Sequence, residues 1–389
     1  MILFLELVLA ASILGLFYTY FGYPALLYAL SRGGAQTPRS AIADADLPSV
    51  TVITAAFNEA AVIAETIENK LAADYPAAKL NMIVVSDEST DGTDDIVTGL
   101  IETHPGRLEL IRQDPRQGKT AGLNLAVARA TGDILVFSDA NSIYEPQAIR
   151  QLVASFADPT VGYVTGKMIY TNADGSLTGD GCTTYMRFEN ALRSWETVFG
   201  SVIGVDGGID AARRELYRPM NADQLPDFVL PLRIVEQGYR VAYQDSAVLR
   251  ESALTDAGRE YRMRVRVTLR ALWALYDLRV LFNPLRDAGF SWQLFSHKFL
   301  RYTAFVPQFL AFVSNALLLG EGMLFGGLFL GQLFFYSLAL VGYAASRSNI
   351  SVPLVGAFYY ISLLNLACAH ASTRFLKGEK QVLWQPRSG

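Results

Sequence analysis

The sequence contains very little histidine and cysteine. Its three histidines, His104, His297 and His370, are scattered along the chain and do not form a ligand cluster. The two cysteines, Cys182 and Cys368, indicate neither a disulfide framework nor a zinc site. Histidine-based catalysis is not indicated, so carboxylates have to carry any proton transfer.

Charged residues are also scarce. They make up 18% of the chain against 51% for hydrophobic residues, and the two classes are segregated along the sequence. A net charge of −4, without a basic stripe in the polar part, argues against a nucleic-acid partner. The segregation predicts a protein with a soluble part and a membrane part.

Long uncharged stretches lie on both sides of the polar part. The first lies within residues 1–31 and is long enough to cross a bilayer as a helix. Residues 32–48 are rich in Gly, Ser, Ala and Pro, which predicts a linker. Three more uncharged stretches predict three transmembrane helices over residues 301–372, followed by a tail over residues 373–389. Because the first positive charges follow the first span, the positive-inside rule places the next domain in the cytoplasm.

Between residues 49 and 250 the sequence alternates between short apolar runs and helical segments. Strands are predicted at residues 50–55, 80–86, 108–112, 134–137 and 161–170. This alternation predicts an α/β domain with a mostly parallel sheet covered by helices. Each run ends in polar residues, so the ends of the strands are expected to line one crevice.

The central apolar run, residues 134–137, is followed directly by Ser138-Asp139-Ala140-Asn141. A carboxylate and an amide therefore stand at the carboxyl end of a buried strand. Oxygen ligands of this kind suit Mg²⁺ or Mn²⁺, and such ions usually serve a diphosphate. The alternative is that Asp139 and Asn141 are turn residues that cap the next helix.

A basic amphipathic helix is predicted over residues 259–282, within an interfacial region over residues 251–300. Arg262, Arg266 and Arg270 are spaced four residues apart and share one face. One interpretation is a helix that only lies on an anionic membrane surface. The interpretation we adopt is that it contacts the membrane on one side and an anion on the other.

Several short motifs occur in a fixed order along the chain. They are Ala55-Ala56-Phe57-Asn58-Glu59, residues 86–93, Gly118-Lys119-Thr120, residues 138–141, Gly207-Gly208 before Arg213-Arg214, and Pro226-Asp227. Together they resemble a membrane-integrated family 2 glycosyltransferase with the Rossmann-like GT-A fold. The closest branch includes the cellulose, chitin-oligosaccharide, hyaluronan and poly-N-acetylglucosamine synthases. The resemblance covers residues 50–281.

The resemblance implies roles for individual residues. The implied donor-binding residues are Ala55, Asn58, Glu59, Asp87, Lys119, Asp139, Arg266 and Arg270. Asp139, with Asn141, would hold Mg²⁺ or Mn²⁺ on the donor diphosphate, and Asp227 would be the general base. From the residues themselves, Asp206 with Gly207 and Gly208 could line the acceptor path, because glycine lets the backbone approach a sugar closely. The alternative for Asp206 is a simple loop acid.

Two departures from the family pattern affect these expectations. Asn141 replaces the second Asp of the usual Asp-x-Asp, which lowers the charge of the site. The segment from Met263 to Val267 aligns with the family's Gln-x-x-Arg-Trp, so that Arg266 is kept but the Gln and the Trp are absent. Without the indole that would stack on an acceptor sugar, a lipid or short acceptor is permitted.

The predicted function is inverting transfer of a sugar from a nucleotide-sugar, expected to be a UDP-sugar, to a saccharide or lipid acceptor. The leading hypothesis is that the product is an exported β-linked oligo- or polysaccharide. The alternatives are transfer of a single sugar to a lipid, and a non-enzymatic scaffold or transporter that senses nucleotide. The resemblance implies an integral protein of the bacterial inner (plasma) membrane that contacts membrane lipid, with its catalytic domain in the cytoplasm.

Overall fold

The structure is a computed structural model that describes residues 1–34, 43–170, 177–251, 257–347 and 355–383. Its centre is a sheet of eight strands in the order β3-β2-β1-β4-β7-β6-β8-β5. The strands are β1 (Val50–Ala56), β2 (Leu80–Asp87), β3 (Leu108–Gln113), β4 (Ile134–Asp139), β5 (Ile143–Tyr144), β6 (Val161–Tyr170), β7 (Ile209–Arg213) and β8 (Arg240–Glu251). Four of the seven neighbouring pairs are parallel, including the contiguous block β3-β2-β1-β4.

Helices cover the sheet and extend away from it. The long N-terminal helix, Ile2–Ser31, consists of α1 and α2 with a π-helical turn between them. The helices are α1 (Ile2–Phe17), α2 (Tyr23–Ser31), α3 (Ile63–Leu71), α4 (Thr93–Thr103), α5 (Lys119–Arg129), α6 (Ala148–Ala154), α7 (Leu177–Phe199), α8 (Pro226–Glu236), α9 (Ala257–Asp277), α10 (Ala288–Leu294), α11 (Leu300–Tyr302), α12 (Phe305–Leu317), α13 (Met323–Arg347) and α14 (Val355–Leu376).

Strand β1 shows why the central runs are continuously apolar. All seven of its residues are buried, because helices lie on both faces of the sheet. Ile53 joins one hydrophobic core, to which α5 and α8 contribute Leu123 and Val229. Val52, on the opposite face, joins a second core with Ile67 of α3. The predicted α/β class with a mostly parallel, Rossmann-like GT-A sheet is therefore confirmed.

The register of the parallel block brings the strand ends to one level. Ala55 of β1 pairs with Asp139 of β4, and Ala56 pairs with Ser86 of β2. Because parallel strands end at the same edge, the polar residues after β1, β2 and β4 share one crevice.

Several element boundaries differ from the sequence-based prediction. Strand β7 inserts antiparallel between β4 and β6, and the sequence patterns had not indicated it. The short strand β5 and helix α6 were also missed. Strand β8 continues to Glu251, whereas the sequence pattern predicts a strand over residues 239–243 only. The basic helix α9 ends at Asp277, where the prediction extended to residue 282, because a short 3₁₀ turn, Arg279–Phe282, follows it.

Among the residues that the structure describes, two helices are long and apolar enough to cross a membrane. They are Ile2–Ser31, with 30 residues, and Met323–Ser346, with 24 residues. Helix α12 has 13 residues, a length of about 20 Å against a hydrocarbon core of about 30 Å. Helix α14 packs against the basic helix α9, where Ala367 and Ala371 contact Val265 and Leu269. The count of three trailing spans stays a prediction.

Candidate active site

The loops after β1 and β2 hold each other in place. The Asn58 backbone N–H donates to Ser89 Oγ at 3.1 Å, and Thr90 N–H donates to Asn58 Oδ1 at 2.9 Å. Asn58 has a φ of 55°, a left-handed conformation that Asn tolerates better than most residues. Glu59 is buried, and its backbone N–H donates to Thr93 Oγ1 at 2.9 Å. Asn58 and Glu59, which are predicted to bind the nucleoside, therefore lie on a loop that is hydrogen-bonded to the segment after β2.

Asp87 organises the segment that leads into α5. Its buried carboxylate accepts hydrogen bonds from Gln113 Nε2 at 2.8 Å and Arg116 Nε at 3.0 Å. It also accepts from the backbone N–H groups of Gln117 at 2.9 Å and Gly118 at 3.0 Å. These hydrogen bonds give Asp87 a structural role in holding the segment before α5. Its contact with a nucleoside stays a prediction.

Lys119 and Asp139 form an ion pair at the crevice. Lys119 is the first residue of α5, and its Nζ lies 2.5 Å from Asp139 Oδ1. Burial by itself lowers the pKa of Lys119, but the charges of Asp139 and Asp227 outweigh it, so the pKa is raised and the ammonium is retained. The Asp139 side chain is 33% exposed, so a ligand in the crevice can reach it.

The residues at the end of β4 fit a divalent ion that is shared with a substrate. Within the described ranges there is no group of three or more His, Cys, Asp or Glu residues that could hold a metal alone. Asp139 and Asn141 offer one carboxylate and one amide oxygen. This is the donor set that Mg²⁺ or Mn²⁺ uses when one or two protein oxygens are completed by diphosphate oxygens and water.

Asp227 lies in the first turn of α8, directly after Pro226. Its Oδ1 is buried and accepts no hydrogen bond from the part of the chain that the structure describes. The backbone of Gly207 abuts the same carboxylate, since a Cβ built on Gly207 would lie 2.3 Å from Asp227 Oδ2. The carboxylate thus keeps an acceptor oxygen without a protein donor, as a general base requires.

A buried acid that the sequence interpretation missed lies beside Asp227. Asp210 of β7 is 1% exposed, and its Oδ2 accepts the Gly207 N–H at 2.9 Å. Burial, together with the charges of Asp206 and Asp227, raises the pKa of Asp210 to about 7. The sequence offered one signal for this buried acid, because Asp210 is the only acidic residue in the short apolar run that follows Gly207-Gly208.

The predicted acceptor-side residues have strong contacts of their own. Asp206 forms a buried ion pair with Arg193 of α7, with 2.7 Å between Oδ2 and Nη1. The Gly208 carbonyl accepts a hydrogen bond from Tyr144 OH at 2.7 Å. A Cβ on Gly208 would lie 2.9 Å from Leu249 Cδ2, so a larger residue there would force the Leu249 side chain to move. Whether these residues contact an acceptor stays a prediction.

Arg270 anchors the loop that precedes Asp227. Its guanidinium donates to the carbonyls of Asp223, at 3.1 Å, and Gln224, and to Thr120 Oγ1, at 3.1 Å. Burial lowers its pKa to about 10, although the charge of Asp227 opposes this shift. Arg266, one turn earlier on α9, is half-buried. The predicted contacts of both arginines with a diphosphate stay predictions.

A cavity of about 1010 Å³ begins at Asp227 and Asp206 and extends between helices. Its lining includes apolar side chains from the N-terminal helix, α9, α13 and α14, for example Leu16, Met263, Val267, Phe335 and Ile361. Met263 and Val267 occupy the two positions where the family pattern has Gln and Trp. The acid at the crevice therefore opens onto a largely apolar space.

The chain's C-terminal segment also reaches the crevice, which the sequence had not indicated. Lys380 Nζ lies 2.5 Å from Asp223 Oδ2, and Trp273 Nε1 donates to the Glu379 carbonyl at 2.8 Å. A Cβ on Gly118 would lie 3.1 Å from the Val382 carbonyl oxygen. Residues 379–382 therefore pack against both Gly118, which precedes α5, and the loop before Asp227.

Comparison with known proteins finds a family match for the first part of this site. Residues 51–220 match the family model described as Glycosyl transferase family 2. The chain contains a family 2 glycosyltransferase domain. The matched range contains Asp87, Lys119 and Asp139, and Asp227 follows it on the next helix.

Curated relatives of this chain are named as a probable glycosyltransferase, a glycolipid synthase and a polysaccharide synthase. A probable glycosyltransferase, YdaM, of Bacillus subtilis is 27% identical over 70% of this chain and 66% of its own length. The beta-monoglucosyldiacylglycerol synthase of Synechocystis is 29% identical over 43% of this chain and 33% of its own. A poly-beta-1,6-N-acetyl-D-glucosamine synthase of Staphylococcus aureus is 24% identical over 57% of this chain and 54% of its own. The chain thus spans between a third and two thirds of these relatives.

A solved structure resembles the whole chain. The mannosyltransferase PcManGT of Pyrobaculum calidifontis, in complex with GDP-Man and Mn²⁺, has a TM-score of 0.71 and 25% identity. The alignment covers 96% of this chain and 99% of that one. The likeness therefore extends beyond the glycosyltransferase domain to the flanking helices.

Proposed function

We propose that this chain transfers a sugar from a nucleotide-sugar to an acceptor at a membrane, with inversion at the sugar C1. The proposal rests on one arrangement. Lys119 and Asp139 lie on one side of the crevice, and Asp227, with an oxygen that has no protein donor, lies where the crevice meets the apolar cavity. This separates a site for an anionic donor from a site for an acceptor.

The chemistry follows from these positions. Asp227 takes the proton of the acceptor hydroxyl, the acceptor oxygen bonds to C1, and the bond from C1 to the diphosphate oxygen breaks. Lys119 and Arg266 supply positive charge near the departing diphosphate. When bound by Asp139 and Asn141, Mg²⁺ or Mn²⁺ would neutralise further negative charge on that group.

The cavity favours a lipid acceptor that receives one sugar. Most of its wall is apolar, although charged side chains such as Glu189, Lys298 and Arg301 also line it, so a hydrocarbon chain could be buried there while a headgroup hydroxyl meets the base. The glycolipid synthase of Synechocystis among the relatives supports the same class of acceptor.

A growing β-linked oligo- or polysaccharide is the second candidate. The relatives from Staphylococcus aureus are poly-beta-1,6-N-acetyl-D-glucosamine synthases, and the cavity continues between the helices from the acceptor side of the crevice. A chain extended at Asp227 would have an exit along this cavity.

A location in the membrane is compatible with both the lipid acceptor and the polysaccharide acceptor. The two long apolar helices support integral insertion in a membrane, and the bacterial relatives favour the inner (plasma) membrane. The positive charges that follow the first of them favour a cytoplasmic position for the catalytic domain, where nucleotide-sugars are made.

The test is release of nucleoside diphosphate by the full chain in detergent with added bacterial lipid extract. A panel of UDP- and GDP-sugars is assayed with Mg²⁺, Mn²⁺ or EDTA. We expect release with one donor, which EDTA abolishes, and a product that partitions into organic solvent. A product that is water-soluble and disperse on a sizing gel would favour the polysaccharide. No release from any donor, with lipid and metal present, would refute the proposed function.

A further inference from the structure

Lys70 of α3 is completely buried in the domain core, with 0% exposure. Within the described ranges no carboxylate forms an ion pair with its ammonium group. Burying a charged amine without a counter-ion is unfavourable, and burial lowers the pKa of Lys70 to about 7. An unbranched apolar side chain would fill the same space without this cost, so packing alone does not explain a lysine here.

The contacts of Lys70 lie on the segment that follows Asp139. Its Nζ donates to the Ser142 carbonyl and to Asn69 Oδ1, the latter at 3.0 Å. The same Nζ lies 3.8 Å from the centroid of the Tyr144 ring. A backbone carbonyl, an amide oxygen and an aromatic face thus take the place of a counter-ion.

Two neighbours on the same face of α3 bind the same segment. Thr66 Oγ1 donates to the Ala140 carbonyl at 2.5 Å. Asn69 makes a reciprocal pair with Tyr144, because its Nδ2 donates to the Tyr144 carbonyl at 2.9 Å and its Oδ1 accepts the Tyr144 N–H at 2.8 Å. Residues 66, 69 and 70 are three and four positions apart and therefore share one helix face.

The result is a regular pattern along the turn. The carbonyls of Ala140, Ser142 and Tyr144, every second residue, are hydrogen-bonded to α3. Asp139 and Asn141 alternate with these anchored positions, and Asp139 contacts Lys119 on the crevice side.

Tyr144 extends the same network to the acceptor side. Its single O–H donates to the Gly208 carbonyl at 2.7 Å and lies within hydrogen-bond distance of the Phe137 carbonyl as well, at 3.1 Å. The network therefore connects α3, the turn after β4 and the glycine turn next to Asp227.

We propose that Lys70, supported by Thr66 and Asn69, is a positioning residue that fixes the turn after β4 so that Asp139 and Asn141 present their oxygens together to a divalent ion and the donor diphosphate. This inference rests on the proposed function. Lys70 touches neither substrate nor metal and acts through the backbone of Ser142. Groups that orient metal ligands in this way typically change metal affinity or activity 10–100-fold when they are removed.

The test is nucleotide binding by the full chain in detergent, measured calorimetrically with UDP and with GDP, at saturating Mn²⁺ and in EDTA. Lys70→Met keeps the length and burial of the side chain but removes the ammonium. Ile67→Val, in the core on the same helix, is the matched control for a small loss of packing. We expect Mn²⁺ to tighten nucleotide binding in the wild type and in Ile67→Val. The gain from Mn²⁺ is the ratio of the nucleotide Kd in EDTA to the Kd at saturating Mn²⁺. In Lys70→Met we expect this ratio to fall at least about tenfold, with the Kd in EDTA unchanged.

The outcomes separate the inference from the proposed function. A folded Lys70→Met protein with the wild-type gain from Mn²⁺ overturns the inference alone. A wild-type protein that binds neither nucleotide overturns the proposed function. Equal weakening with and without Mn²⁺ indicates a general structural role and also overturns the inference.

A milder variant covers the case in which Lys70→Met does not fold. Thr66→Val removes only the hydrogen bond to the Ala140 carbonyl and keeps the shape of the side chain. One hydrogen bond predicts a loss of about threefold in the gain from Mn²⁺. A Thr66→Val protein with the full wild-type gain would then overturn the inference.

Discussion

Replacing Gly207 by alanine probes the contact between the glycine turn and the proposed base. A Cβ at this position would lie 2.3 Å from Asp227 Oδ2 and 3.0 Å from both Asp227 Cβ and Cγ, whereas ordinary contact begins at 3.4 Å. Gly207 also has a φ of 81°, which is unfavourable for alanine. The substitution therefore has two separable consequences, a backbone strain and a forced movement of the Asp227 carboxylate.

The size of each consequence can be worked out. The left-handed backbone costs alanine about 1–2 kcal/mol of stability. To restore ordinary contact the carboxylate has to move by about 1 Å, and a displacement of that size at a reacting group can cost about 100-fold in rate. Since base catalysis contributes about 10²–10⁴-fold in all, a 100-fold loss stays within what Asp227 can supply.

The matched control is Gly106→Ala. Gly106 has a similar φ of 75°, but a Cβ there would meet no atom within 4 Å. We expect both variants to lose similar stability in a denaturant titration, while only Gly207→Ala loses about 100-fold in kcat for nucleoside diphosphate release. If folded Gly207→Ala turns over within about threefold of Gly106→Ala, Asp227 is not the base or its position is not critical.

Three further predictions concern the acids of the crevice. Asp227→Asn should bind donor with wild-type affinity but lower kcat at least about 100-fold, measured by calorimetry and product release, and near-normal turnover would remove Asp227 from its role. Asp139→Asn should raise the Mn²⁺ concentration required for half-maximal release, because it removes the charged ligand, and an unchanged metal titration would contradict the assignment. The pKa of Asp210 is raised from 3.8 to about 7 by burial. The folded state therefore binds more protons than the unfolded state between about pH 4 and 7, and the free energy of unfolding falls as pH rises through that window. Asp210→Asn should flatten this fall in denaturant titrations from pH 5 to 7, whereas a slope parallel to that of the wild type would show that Asp210 titrates normally.

The local sequence pattern was sufficient to predict strands β1, β2 and β4 and the polar residues at their ends. Val50–Ala56, Leu80–Asp87 and Ile134–Asp139 are short, apolar and buried on both faces, so a continuous apolar run predicted each of them to within two residues. Each is followed by polar residues, and parallel strands must end at one edge. The class of fold and the crevice with Asp87 and Asp139 were therefore predictable.

Elements whose sequence signal is weak were not predictable in the same way. Strand β7 has five residues and follows a glycine pair, and its pairing with β4 and β6 joins segments far apart in sequence. The two-residue strand β5 has no periodicity at all. Both form because tertiary packing provides partners for their backbone groups.

The sequence by itself determined which residue types stand at the ends of the strands, because apolar periodicity and strand order are local properties. Only the tertiary structure decided what each polar group contacts. It paired Lys119 with Asp139, buried Asp210 beside Asp227, brought residues 379–382 onto the crevice, and directed Lys70 to the Ser142 carbonyl. These partners come from distant parts of the chain, and contacts of that kind depend on how helices and sheet pack in three dimensions rather than on any pattern of neighbouring residues.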